Sequence, residues 1–227
     1  MHSVRYKFIV IISLFIVCNG TAQDSKIGNW LIYFGNQKIS KTFNWHNEVQ
    51  YRNYNVVGDL EQLLLRTGIG ADINISNNVL MGYGFIRSEN YIKGTNDKVE
   101  VNEHRPFQQY IHRFKWKRLS VQNRVRVEER FIGSDFKLRF RHFLLLNFPV
   151  NKPAMEKNAL YLSAYNELFL HPYGNSFDRN RVYGALGWVL SKYIKIEAGM
   201  MSQIFQNRSR TQFQIVMYNN IPFMKQS

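Results

Sequence analysis

The stretch Phe43-Asn44-Trp45-His46-Asn47-Glu48-Val49-Gln50-Tyr51-Arg52 alternates large apolar and polar residues almost without exception. Side chains of a strand point to opposite faces with period 2, so Phe43, Trp45, Val49 and Tyr51 share one face and Asn44, His46, Glu48, Gln50 and Arg52 the other. The polar face carries charges that an ordinary protein core does not accept, and the pattern recurs down most of the chain. Apolar outside and polar inside is the arrangement of a membrane β-barrel. The fold-level alternative, a soluble lipocalin-like barrel, requires the reverse.

Working outward, Trp30, Ile32 and Phe34 share one face of a strand at 28–36. A hairpin at 62–71 and 79–86 alternates Gly68, Gly70, Gly82 and Gly84 with apolar residues, thinning the inward face where the wall bends or a neighbour's long side chain crosses the lumen. Residues 92–104 are polar without period 2 and are expected to form a loop. The strand at 107–117 is placed with Tyr110, Phe114 and Trp116 outward, which also turns His112 outward, and with Arg113, Lys115 and Lys117 inward. The next strand opposes Val121, Val125 and Val127 to Gln122, Arg124, Arg126, Glu128 and Arg130. The one after it opposes Leu138, Phe140, Leu144 and Leu146 to Lys137, Arg139 and Arg141. Strand 160–170 leaves Tyr161, Tyr165 and Glu167 inside; the hairpin 181–190 and 193–204 turns Leu186, Trp188, Ile194 and Ile196 outward, and 211–218 closes the series.

That series holds eleven strands, whereas single-chain bacterial barrels have even numbers. Either one strand is missed or the first lies outside the wall. The expected fold is therefore all-β, an antiparallel transmembrane barrel of about 10–12 strands at about 10 residues per strand.

The 227 residues suit one domain. Residues 1–23 run from Arg5 and Lys7 through an apolar stretch to Asn19-Gly20-Thr21-Ala22-Gln23, the order of a cleaved signal peptide. The expected mature barrel is 24–227, exported to the outer membrane of a Gram-negative bacterium. Cys18, the single cysteine, leaves with the leader, so no disulfide, thiolate chemistry or sulfur-ligated zinc is expected. The formal charge of +14 loses two with Arg5 and Lys7. Such a balance is often a nucleic-acid footprint, but no basic helix accompanies it here; outer-membrane lipid and small anionic solutes are the expected contacts.

Gly28-Asn29-Trp30, His46-Asn47-Glu48 with Tyr51-Arg52, Leu64-Leu65-Arg66-Thr67-Gly68-Ile69-Gly70, Glu128-Glu129-Arg130-Phe131, Phe140-Arg141, Asn166-Glu167-Leu168-Phe169 and Phe177-Asp178-Arg179-Asn180-Arg181 together resemble the Gram-negative outer-membrane β-barrel family DUF2490. The resemblance spans essentially the whole mature chain. It implies fold and location, and it transfers no catalytic residue.

The candidate site is the lumen. Its expected basic cluster is Arg52, Arg66, Arg124, Arg126, Arg130, Arg139 and Arg141, joined inward by Arg113, Lys115, Lys117, Lys137, Arg181 and Lys195. The expected lumen carboxylates are Glu48, Glu128, Glu167 and Glu197. Two readings stand: a basic constriction that selects anions by charge, or a ladder of Arg–Glu contacts that braces and fills a small barrel, with unpaired cations near the rims.

An enzyme is the rival class. No histidine has a serine two positions on, as lipid hydrolases of the barrel wall require, and Glu128 with Glu167 among many arginines suits salt bridging better than acid–base work. The histidines lack metal-ligand spacing and the Gly-x-Gly pairs lack a nucleotide fingerprint, so neither metal nor cofactor is expected. A third class is surface binding through Tyr91, Tyr173 and Phe177.

Overall fold

The computed structural model describes residues 27–56, 58–174 and 176–224. The expected leader and Cys18 lie outside these residues. Eleven strands follow one another: β1 (Gly28–Lys38), β2 (Phe43–Asn53), β3 (Leu60–Asp72), β4 (Asn77–Tyr91), β5 (Lys98–Trp116), β6 (Leu119–Ile132), β7 (Asp135–Pro149), β8 (Leu160–Leu170), β9 (Phe177–Val189), β10 (Ile194–Ile204) and β11 (Ser209–Asn219). Each pairs with its chain neighbours, and β1 pairs with β11, so the barrel is closed.

The closing pair is parallel, from Gly28 beside Gln212 to Gly35 beside Asn219, while every other pair is antiparallel. The expected antiparallel barrel of 10–12 strands is thus present with one parallel pair, and its dilemma falls away: among the described residues eleven strands close the ring, and the first lies in the wall. In an up-and-down meander an odd number of strands makes the first and last run the same way, so closure is parallel by necessity. The connections β1–β2, β3–β4, β5–β6, β7–β8 and β9–β10 sit at one rim and the remainder at the other, and β1 begins at the opposite rim from the one where β11 ends.

Two connections are two-residue turns, Lys117-Arg118 and Gly133-Ser134, with φ of 54° at Lys117 and 58° at Gly133. Positive φ matches the twist of the flanking strands in tight hairpins.

Along each strand the faces divide as the periodicity requires. Arg66, Arg126, Glu128, Arg139 and Arg141 are buried inside, while Leu65, Ile69, Met81, Val125, Leu162 and Leu186 are exposed outside. The faces are thus the reverse of a lipocalin-like barrel. His112 and His142 do face outward, and each lies beside an amide of the neighbouring strand: Asn77 Oδ1 is 2.8 Å from His112 Nδ1 and Asn123 Oδ1 is 3.2 Å from His142 Nε2. Trp45 Nε1 likewise donates to Thr67 at 2.8 Å, and Asn166 to Asn180 at 2.9 Å.

The expected loop at 92–104 is only partly a loop. β4 runs on to Tyr91 and β5 begins at Lys98, pairing Tyr91 with Lys98 and Ile86 with Glu103. The start of β5 alternates only over Lys98-Val99-Glu100-Val101-Asn102, a short run beside a polar tip, yet backbone pairing continues through it. Inside, glycines make room for neighbours: the Phe107 ring packs over Gly82, where a Cβ would meet its Cζ at 2.5 Å, and the Tyr161 ring lies over Gly187.

The seam makes a direct prediction. With Leu31→Cys and Ile215→Cys, two outward partners across the parallel pair, mild oxidation should link β1 to β11, giving a shifted band on non-reducing gels; Leu31→Cys with Met200→Cys, on a strand not adjacent to β1, should not link.

Candidate functional site

Strands β2, β3 and β5 to β9 aim charged side chains at one another across the lumen. Glu128 on β6, 0 % exposed, is the hub. Arg139 reaches it from β7 at 2.6 Å and Arg141 at 2.5 Å; Arg126, Arg66 and Arg105 approach at 3.6, 3.7 and 3.8 Å. Five guanidiniums from four strands therefore share one carboxylate.

The hub extends on both sides. Arg141 also donates to Glu167 on β8 at 2.5 Å, which accepts from Arg124 at 2.7 Å and lies 3.6 Å from Arg181. Arg66 donates to Glu48 on β2 at 2.6 Å. Glu103 accepts from Arg130 at 2.6 Å and from Arg105 at 2.8 Å, and Arg139 meets Asp178 at 3.3 Å. Charge-assisted bonds of this kind are the strong ones, and here they join into one lattice across the barrel.

Aromatic rings take up part of the excess positive charge. Arg52 has no carboxylate in the lattice; its guanidinium lies 3.8 Å from the Trp30 ring, with Arg181 at 4.9 Å from the same ring. Phe169 receives Arg139, Arg141 and Arg181 at 5.2, 4.5 and 4.7 Å, and Arg126 lies over Phe107 at 4.3 Å. Desolvated cation–π contacts contribute about 2 kcal/mol each.

The lumen has a second half. Trp30, Ile32, Tyr183, Met201 and Val216 form a buried cluster extended by Phe34, Tyr165, Ala185 and Tyr218, on β1 and β8 to β11. Trp30, Ile32 and Phe34 thus share the inward face.

The expected residues are placed as follows. Arg52, Arg66, Arg124, Arg126, Arg130, Arg139, Arg141 and Arg181 face the lumen, as do Glu48, Glu128 and Glu167. Glu197 is buried inside but apart from the arginines, accepting from the hydroxyls of Tyr161 at 2.9 Å, Tyr218 at 3.4 Å and Tyr183 at 3.5 Å. Lys115, Lys117 and Lys137 lie at strand ends and are exposed, not lumen groups. Arg113 donates to Gln122 at 2.9 Å. Glu103, Arg105 and Asp178 are lattice members beyond the expected set. For Glu103 and Arg105 the available signal was their i, i+2 spacing continuous with Phe107 and Gln109.

Chemically, Glu128 and Glu167 serve as acceptors held by arginines, with no hydroxyl or imidazole of the described residues bonded to either. The arrangement fixes strands to one another and fills the lumen.

The family model described as "Protein of unknown function (DUF2490)" matches residues 27–214. An uncharacterized protein of Methylorubrum extorquens is 27% identical over 165 residues, 69% of this chain and 69% of that protein. No solved structure matches the chain.

Removing one partner of a buried ion pair leaves uncompensated charge, at a cost of about 3–5 kcal/mol. Glu128→Gln should therefore lower unfolding stability by about that amount, whereas Lys137→Ala at the rim should stay within about 0.5 kcal/mol. Urea unfolding midpoints of the refolded proteins, with unchanged slope, check both.

Proposed function

Because the chain belongs to the DUF2490 family of proteins of unknown function, its role is read from its geometry, and we propose that it is an outer-membrane β-barrel with a sealed lumen, a structural wall element rather than an open pore. The observation that carries this reading is the fully buried Glu128 with five arginines within 4 Å, linked through Arg141 to Glu167, through Arg66 to Glu48 and through Arg105 to Glu103. An anion-selecting constriction needs cations that face water and exchange partners. These cations are buried and already engaged.

The outer face supports a lipid surround. It is studded with exposed Leu, Ile, Val and Met, and its polar side chains at His112, His142, Asn166 and Trp45 have partners on adjacent strands, as hydrocarbon requires. Outward aromatics gather toward both rims, Phe43, Trp116, Phe148 and Trp188 at one and Phe131 with Phe136 at the other, in the manner of interfacial girdles.

Expressed in a Gram-negative host, the protein should fractionate with outer membranes and show heat-modifiable mobility. In a planar bilayer the folded wild type should be electrically silent, and the combination Glu128→Ala, Arg139→Ala, Arg141→Ala, which removes charges of both signs, should give discrete conductance steps. Anion-selective steps from the wild type would establish the pore instead, and recovery in the soluble periplasmic fraction would overturn the membrane reading.

A further inference from the structure

Between the charged and aromatic halves of the lumen lies a cavity of about 70 Å³. Its lining divides by chemistry. On one side stand Arg52, Arg66, Arg124, Arg141 and Arg181, with Glu48 and Glu167; on the other Trp30, Phe34, Tyr165, Tyr183 and Tyr218, with Gln214 between. Five cations thus meet two carboxylates, and both carboxylates are already taken: Glu48 by Arg66 at 2.6 Å, Glu167 by Arg141 at 2.5 Å and Arg124 at 2.7 Å.

The buried side-chain atoms of the lining that have no hydrogen-bond partner are Arg66 Nε, Arg124 Nε, Trp30 Nε1 and Gln214 Nε2. All four are donors. Gln214 Oε1 is used, accepting from Tyr165 at 3.4 Å. Among these lining residues no buried acceptor is left over.

We propose that this cavity is a binding site for one small anion, of the class that runs from halide to formate and acetate. Water donates as well as it accepts, so water alone pairs poorly with a set made only of donors. An acceptor-only species suits a lining of donors and offsets the local excess of positive charge, which is costly when buried without a counter-charge. The size agrees: one water needs about 10–15 Å³ by the same kind of measure, so the cavity takes a small polyatomic anion and excludes a sugar acid. The tyrosine and phenylalanine wall gives a short carboxylate's methyl group an apolar contact. The site depends on its own lining residues and stands whether or not the barrel conducts ions or lies in a membrane.

The test refolds the full chain in detergent at constant ionic strength with sodium chloride, formate, acetate or gluconate, and compares melting temperatures. The three small anions should raise the midpoint by several degrees over gluconate. Gln214→Glu places a carboxylate in the cavity and should abolish the difference, while Lys137→Ala, at an exposed rim position, should retain it. Equal midpoints for the wild type in all four salts would overturn the site, as would a dependence that Gln214→Glu keeps, since that is a general salt effect. Independently of any variant, crystals grown in bromide should show an anomalous peak between the Arg66 and Arg124 guanidiniums; peaks at the surface alone would mean an adventitious ion only, and no site.

Discussion

A guanidinium taken out of water must find acceptors or rings, and the whole interior follows from that constraint. Arginines of β2, β3, β5, β6, β7 and β9 project inward, and they meet too few carboxylates to pair one to one. Sharing resolves this: Glu128 is approached by five arginines and Glu167 by three, while Trp30, Phe107 and Phe169 cover the guanidinium faces that remain. A lattice of shared partners ties β2 to β9 more tightly than separate pairs would, because no single strand shifts register without disturbing several others. Buried ion pairs contribute little net stability when compared with good apolar packing, but they specify one arrangement strongly.

The seam shows the complementary solution. β1, β10 and β11 bring no arginine to the middle of the lumen, and here Trp30, Ile32, Met201 and Val216 pack together, with Glu197, Gln212 and Gln214 buried on the same strands. The parallel closure joins the first and last strands, whose pairing depends on the whole barrel having formed, so this region gains from contacts that tolerate small adjustments. The cavity lies where the two kinds of packing meet, since neither a rigid ion lattice nor an aromatic cluster can follow the other's contour.

Legibility in the sequence varied for physical reasons. β2, β6 and β7 declare their inward faces because arginine and glutamate oppose valine and leucine along them. β1 does not, since Leu31 and Tyr33 on one face are as apolar as Trp30 and Ile32 on the other. Glu103 and Arg105 were hidden because they follow the polar tip and only Val99 and Val101 mark their face before them, although the hairpin's backbone pairs throughout. The tyrosine setting of Glu197 and the contact of Arg66 with Glu128 join residues far apart in the chain, and local pattern carries nothing about such partners. The eleven strands were legible one by one, but that an odd number closes, and how, is a property of the ring rather than of any stretch within it.

The most direct test of the sealed lattice is proton exchange at the arginine Nε–H groups, followed by nitrogen-edited NMR of the refolded barrel. Arg139 Nε donates to Glu128 at 3.0 Å and Arg141 Nε to Glu167 at 3.1 Å, whereas Arg87 is exposed near the rim. The Arg139 and Arg141 protons should persist with shifted resonances under conditions where the Arg87 proton is lost to exchange. Exchange of all three at the same rate would show a water-filled lumen and contradict the sealed barrel.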